Sequence, residues 1–594
     1  MPDGTIRLLN SLRQLVGVPD TWSFRGPLFA GQRIAPVDRA LAERAGILRR
    51  AFPFADPASI VALNGICSIV SVPGGAPLVL QGEQPEALYV VVTGGLCACG
   101  GAPERFGPGA VAGDAEFITG QVRATTIKAL RTSELLRISI GDLRAAAVRC
   151  PGVLLAVSAG VVHRLQAGCL ASVAPVRPGT FCVVPVDASI DVGSILQQIA
   201  GSLAAFGSVE IVSAKQAAGQ TSSWFAEVER RFDFVLFQAE CGPTAWTRFC
   251  LRQCDRIVLL VHGDTDPIGC EAFGPDRHYV PPDTLLSLML FWEAGIVPNR
   301  TGAWLKATNP DGHHHIRSFA DMERASRLIA GRGLGLILSG GGARALAHVG
   351  VIEALTAHGV QIDAIGGTSI GAVVAAVFAT ECDLAATVRS LAAGFAKRRF
   401  SDFAIPRTAL YSERAFARTL GHRFGEIAIE DLPIPMFCVS TNLTEGVSVV
   451  HRTGRLVTWL RASSAVPGIC PPILEQNNVY VDGGVLNNMP TDGIRGFGVA
   501  SAISVDVGSS LAEQARSDGG EGLPNMLDLL WRVGTIGSDT AANRVRQDGD
   551  VVLRPDVRGV GLFDWDAHEK AIAAGHQVAI EHLAEIEAAL GPVR

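Results

Sequence analysis

Short apolar runs broken by glycine and proline dominate residues 60–140, as in Ser68-Ile69-Val70-Ser71-Val72, Leu78-Val79-Leu80, 88–92 and 124–130. Closely spaced short strands of this kind predict a small β-barrel or jelly roll. Over 142–170 the apolar positions fall three and four apart, which predicts helix. Two prolines and a glycine in VAPVRPGT (173–180) then mark a linker.

From Phe181 the pattern becomes FCVVPV, a helix over 193–205, Ser208-Val209-Glu210-Ile211-Val212, a helix, a strand over 233–237, a helix, and a strand over 256–261. Strands alternating with helices predict a parallel, doubly wound sheet. A second α/β pattern opens at Gly335-Leu336-Ile337-Leu338 and runs on through Ile362-Asp363-Ala364-Ile365, Met436-Phe437-Cys438-Val439-Ser440 and Ala502-Ile503-Ser504-Val505. The expected chain is multidomain: an N-terminal extension (1–45), a β-barrel or jelly-roll domain (46–172), a Rossmann-like α/β domain (181–330) and a C-terminal α/β domain (333–594). His313-His314-His315 reads as a polar junction, because three consecutive side chains cannot all reach one ion from a regular element.

Composition narrows the function classes. Apolar residues make up 48% and charged residues 18% of the 594, which argues against bulk disorder. A net charge of −6 gives no general attraction to nucleic acid or to an anionic bilayer, so no nucleic-acid partner is expected. The N-terminal stretch lacks the apolar core and cleavage site of a secretory signal, and no run reaches the ~20 apolar residues of a spanning helix. With thirteen scattered cysteines, the expected location is cytoplasmic, with any membrane contact local and peripheral at the inner face. Lys397-Arg398-Arg399-Phe400 is a candidate foot for such contact, although three adjacent charges commonly form a solvated helix end. Cys97/Cys99 and Cys250/Cys254 lack a second pair at ligand spacing, so neither a metal nor a cofactor is expected.

Two glycine-rich turns carry the chemistry. Ser339-Gly340-Gly341-Gly342-Ala343-Arg344 follows one predicted strand, and Gly367-Thr368-Ser369-Ile370-Gly371 follows the next. A GxSxG turn between strand and helix thrusts its serine out at the carboxyl end of a sheet, making Ser369 a candidate nucleophile. The amides of Gly340, Gly341 and Gly342 form a candidate oxyanion hole, with Arg344 placed to bind a phosphate or hold the loop. Neither a Walker lysine nor a dinucleotide spacing is present, which disfavours a nucleotide loop. His348 falls about a turn into the following helix, where a packed or capping histidine is expected, so the base is sought among carboxylates. Asp482 precedes Gly483-Gly484 after a short strand; the motif alone also fits an Asp-Gly hairpin turn.

SGGGARALAHVGVIEAL, GGTSIGA, RASSAVPGICPP and DGGVLNNMP occur in that order, and on these motifs the chain resembles the patatin-like phospholipases. The resemblance implies a Ser-Asp dyad of Ser369 and Asp482, with oxyanion donors at Gly340, Gly341 and Gly342. Ala345 stands where the family usually has glycine. WTRFCLRQCDRIVLLV (246–261) resembles the region ahead of the catalytic domain in the neuropathy target esterase group. That group implies a phospholipid or lysophospholipid substrate and an esterase releasing a fatty acid.

PLVLQGE (77–83), LYVVVTGG (88–95) and GDAEF (113–117) ahead of RATT (123–126) resemble a cyclic-nucleotide-binding domain. By that resemblance Gly113, Asp114, Arg123 and Ala124 would contact a cyclic nucleotide, Arg123 gripping its phosphate. Asp114 replaces the usual glutamate and is one methylene shorter. The competing reading of the whole chain is a cyclic-nucleotide sensor with an inactive hydrolase domain.

Overall fold

In the computed structural model, described residues are 40–99, 104–170, 179–267, 284–293, 295–398, 409–412, 414–508 and 550–590. Most of the expected N-terminal extension, and Arg399 and Phe400 of the candidate foot, fall outside them.

The first domain is a jelly roll of two four-stranded antiparallel sheets. Val72, Val79, Val91, Leu96, Ala129 and Leu135 fill the space between the sheets. A second core packs helices Ala40–Ala51 and Pro57–Ile66 against the outer face through Leu48, Phe52 and Leu63. The first of these helices crosses the expected boundary at 45/46. The helix expected over 142–170 is in fact two, Ile140–Arg149 and Gly152–Leu170. Pro151 lies at the break, where it can donate no helical hydrogen bond and its ring opposes a continuous helix.

The second domain is a six-stranded, wholly parallel sheet, ordered Val209–Val212, Phe234–Gln238, Thr180–Pro185, Arg256–His262, Leu285–Phe291 and Gly312–Ile316. Apolar cores on both faces explain its almost uninterrupted apolar strands. It meets the first domain at Arg131, whose guanidinium pairs with Glu229 and, at 2.9 Å, with Asp255.

The three histidines form a junction, but a buried one within a regular strand. They form the edge strand Gly312–Ile316, with His314 and His315 buried. His315 Nδ1 accepts the Trp292 indole N–H at 3.0 Å, which leaves its Nε2–H to donate to the Glu430 carbonyl at 2.9 Å. His313 Nε2 meets the same carbonyl at 2.9 Å. Burial, with His313 adding to it, pushes the His315 pKa down to about 3, so the neutral ring required by this pattern persists. The strand therefore joins the second domain to the third.

The third domain is a mixed eight-stranded sheet. Gly333–Leu338, Ala364–Thr368, Met436–Asn442, Val499–Val505 and Val551–Leu553 run parallel, and Val447–His451, Ile473–Glu475 and Asn478–Asp482 add antiparallel pairings. The long strand Met436–Asn442 pairs along one side with Val447–His451. Along its other side it pairs first with Ala364–Thr368, ending at Thr368 opposite Val439, and then with Asn478–Asp482, beginning at Asp482 opposite Ser440. The two neighbouring strands thus abut end to end, and Ser369 and Asp482 meet at the gap.

Candidate active site

Ser369 sits between strand Ala364–Thr368 and helix Ile370–Ala379 with φ 56 and ψ −129. Such angles cost a non-glycine residue about 1–3 kcal/mol and persist where surrounding structure imposes them. Two close approaches do so here. A Cβ on Gly367 would lie 2.5 Å from the Leu338 carbonyl oxygen, and one on Gly371 would lie 2.5 Å from that of Ser339. The helix behind is apolar and buried, which anchors the turn. The Ser369 N–H donates to Ser463 Oγ at 2.9 Å.

The Ser369 hydroxyl donates to Asp482 Oδ2 at 2.7 Å, and the Gly484 N–H donates to Oδ1 at 2.8 Å. Asp482 is 1% exposed and Ser369 3%. Burial pushes the Asp482 pKa up to about 7 against the downward pull of those two hydrogen bonds. The carboxylate is therefore far more basic than an exposed one and lies on the proton it would accept. His348 is buried and donates through Nε2 to the Ser339 carbonyl at 2.8 Å, while His358 Nδ1 meets the Ala354 carbonyl at 2.8 Å. The first packs the glycine loop and the second sits at the end of its own helix.

The glycine loop lies beside the serine: a Cβ on Gly340 would approach Ser369 Cβ to 3.0 Å. Its three amides are not equivalent. The Gly340 N–H donates to Asn488 Oδ1 at 3.1 Å, so the expectation of an oxyanion donor at Gly340 is corrected: its hydrogen is already bound within the chain. Gly341 and Gly342 donate to no acceptor among the described residues. Gly342 has φ 57, and a Cβ there would strike the Leu562 carbonyl oxygen at 2.2 Å. Arg344 is buried and donates through Nε to the Val560 carbonyl at 2.7 Å, a bond that ties the glycine loop to that segment. Ala345 fits fully buried in the core. Ser463 and Asn488 escaped sequence reasoning; they lay inside the quoted motifs, without a signal of what they would touch.

The nucleotide candidates of the first domain also converge. Gly113 has φ 78, and its carbonyl accepts from Arg123 Nη1 at 2.8 Å. Arg123 is 3% exposed, and its Nη2 donates to the Ala87 carbonyl. A carboxylate of the chain shares this cradle: Glu116 Oε1 accepts from the Ala124 N–H at 3.4 Å, and Oε2 lies 3.7 Å from Arg123 Nη1. Asp114 is buried beside them.

In the third domain, a strained serine after a parallel strand, a carboxylate hydrogen-bonded to it and a glycine-rich loop alongside define an α/β domain with a nucleophile elbow and a Ser-Asp pair. Comparison with known families specifies the type. Residues 336–494 match the patatin-like phospholipase model, 180–332 the neuropathy target esterase family P-loop like domain, and 69–149 the cyclic nucleotide-binding domain. The third domain is a patatin-like phospholipase domain, joined to a P-loop like domain of the neuropathy target esterase family.

Among curated relatives, the chain is 29% identical over 505 residues to neuropathy target esterase sws of Drosophila melanogaster, covering 73% of this chain and 35% of that protein. It is 30% identical over 541 residues to patatin-like phospholipase domain-containing protein 6 of Homo sapiens, covering 78% of this chain and 39% of that one. The chain thus spans well under half the length of these relatives. Among solved structures, the N-terminal domain of a transcriptional regulator from Streptomyces coelicolor matches 21% of this chain and 92% of that one at 26% identity and TM-score 0.19. A cyclic nucleotide-binding domain from Methylobacillus flagellatus matches 22% of this chain and 80% of that one at 17% identity and TM-score 0.20.

Proposed function

We propose that the chain is a serine esterase that hydrolyses fatty-acyl esters of phospholipids or lysophospholipids. The observation that carries this reading is the 2.7 Å hydrogen bond from the strained Ser369 to the buried Asp482. Asp482 takes the serine proton as Oγ attacks the ester carbonyl. The tetrahedral oxyanion is held by the Gly341 and Gly342 amides. Collapse breaks the ester bond, and Asp482 returns the proton to the leaving glycerol oxygen. Water, deprotonated by the same carboxylate, then attacks the acyl-serine; collapse breaks the acyl–Oγ bond, Asp482 returns the proton to Ser369 Oγ, and the fatty acid leaves. No histidine, metal or cofactor is required. The test is labelling by a fluorophosphonate together with turnover of lysophospholipid: both are expected to vanish in Ser369→Ala, and labelling that persists would reject the assignment.

Substrate is reached from a lipid surface by peripheral contact at the inner face of the membrane. Among the described residues, no helix is long and apolar enough to cross a membrane. Leu474, 70% exposed, pairs with Val479, and Leu443, 52% exposed in the turn just past strand Met436–Asn442, donates its N–H to the Val479 carbonyl; Val479 lies on the strand that ends at Asp482. Apolar side chains so exposed near an ester-cleaving site fit an acyl boundary. Leu474→Asp is expected to reduce co-sedimentation with phosphatidylcholine vesicles while leaving hydrolysis of a soluble short-chain ester intact.

The first domain serves as a regulatory or docking shell in which any cyclic nucleotide must compete with a carboxylate of the chain. Glu116 lies against the amide and guanidinium that would grip a cyclic phosphate, and a second anion there meets both its charge and its volume.

A further inference from the structure

The strand-end gap brings serine and carboxylate together, but it does not place the glycine loop, which comes from a different strand. A third element must set that distance. The segment that begins with Asp482 ends six residues later at Asn488, whose side-chain amide meets the Gly340 peptide twice: the Gly340 N–H donates to Oδ1 at 3.1 Å, and Nδ2–H donates to the Gly340 carbonyl at 3.3 Å. A primary amide can donate and accept side by side, which fits it to hold one residue's backbone in this way. The preceding residue ties the same segment to the elbow, because Thr368 Oγ1 donates to the Asn487 carbonyl at 3.0 Å.

A Cβ on Gly340 would come within 2.6 Å of Asn488 Oδ1 and 3.0 Å of Ser369 Cβ, so Gly340 is held between clamp and nucleophile with no room for a side chain. Its own N–H faces Asn488, and the two amides after it are the ones left to face a substrate oxygen. Asp482–Asn488 therefore bears on all three parts of the machinery: the base at one end, the elbow through Asn487, and the oxyanion loop through Asn488.

We propose that Asn488 is a positioning residue for the oxyanion loop, fixing Gly341 and Gly342 relative to Ser369 without touching the reacting atoms. The proposal rests on the esterase reading above. Its role is confined to transition-state stabilisation, since the loop amides meet the oxyanion while the base is held separately by Gly484. Loss of the clamp should lower kcat and leave KM and the pH midpoint alone. A role in general packing would instead lower the melting temperature or move all three together.

The experiment compares full-length wild type, Asn488→Ala, Asn488→Asp and Ser369→Ala on a p-nitrophenyl ester, with kcat, KM, the pH midpoint and thermal unfolding measured for each. For Asn488→Ala, kcat should fall by about ten- to a hundredfold, below the full effect of deleting an oxyanion donor. KM should stay within about twofold and the pH midpoint should not move. Asn488→Asp keeps the shape and the acceptor but cannot donate to the Gly340 carbonyl while ionised, and it adds negative charge near the oxyanion. It should lose at least as much kcat as the alanine form, and it serves as the test if the alanine form does not fold. Wild-type kcat in the folded variants, or a loss in Asn488→Ala accompanied by a shifted pH midpoint, overturns the clamp. Undiminished turnover in Ser369→Ala overturns the esterase reading beneath it, so the two failures are told apart.

Discussion

The chain builds two cradles suited to negative charge, and they differ in where the nearest carboxylate is tied. Each contains a glycine in the left-handed region, Gly342 at φ 57 and Gly113 at φ 78, and each has a buried arginine bonded to backbone carbonyl. In the third domain, the acid at hand is Asp482, which is engaged by the Ser369 hydroxyl and the Gly484 amide. The loop amides of Gly341 and Gly342 stay available. In the first domain, Glu116 lies on the Ala124 amide and beside the Arg123 guanidinium. A cradle of amides is thus more open to an anion where neighbouring acids are held off by bonds of their own.

The strongest way to break this contrast is to remove the acid from the hydrolase cradle. Asp482→Asn should reduce kcat by about 10³-fold or more, as expected when a general base is deleted. It should also stabilise the fold. Burial raises the Asp482 pKa from 3.8 to about 7, so the folded state favours the protonated carboxyl. Its contribution to stability is fully present below pH 3.8 and is lost as pH rises through about 7. At pH 8 the ionised group costs about 4 kcal/mol, an upper figure for what the amide would relieve in thermal unfolding. Wild-type hydrolysis moves in the opposite sense: kcat/KM should rise with pH through a midpoint near 7, and a midpoint near 4 would show that burial does not raise the base as described.

Next in size, Gly342→Ala damages the empty cradle by steric means. The positive φ and the 2.2 Å approach to the Leu562 carbonyl oxygen leave no place for a methyl group. We expect a loss in kcat of about 10²-fold with KM little changed, measured on a soluble ester. The smallest effect should come from emptying the filled cradle. Wild type is expected to bind cyclic AMP and cyclic GMP only weakly in calorimetry, whereas Glu116→Ala should gain affinity by about tenfold, the worth of one charge-assisted hydrogen bond. Tight binding by wild type would erase the contrast.

What sequence could reveal divides along the same line. Ser369 and Asp482 announce themselves because elbow and turn geometry are written in neighbouring glycines. The multidomain plan was legible for a similar reason, since strand and helix periods are local. The loss of the Gly340 amide to Asn488 was not, because the partners are 148 residues apart and nothing local distinguishes three consecutive glycines. Glu116 stood inside a quoted motif, but its reach back to Arg123 and Ala124 depends on the turn of its helix. The histidine run reads as a polar junction, but its strand and its burial were not legible. Burial is possible there because one indole and one carbonyl oxygen satisfy ring nitrogens from outside the strand.

The abutting strands at Thr368 and Asp482 make the strand Met436–Asn442 a ruler. Nucleophile and base come from segments more than a hundred residues apart, yet their spacing is counted off by consecutive residues, Val439 and Ser440, on a third. Substitutions along the ruler keep the count. One residue inserted between those two marks would lengthen it by about 3.3 Å and turn the following side chains to the opposite face. Reaction geometry in this fold is therefore more vulnerable to a change in chain length there than to a change of side chain.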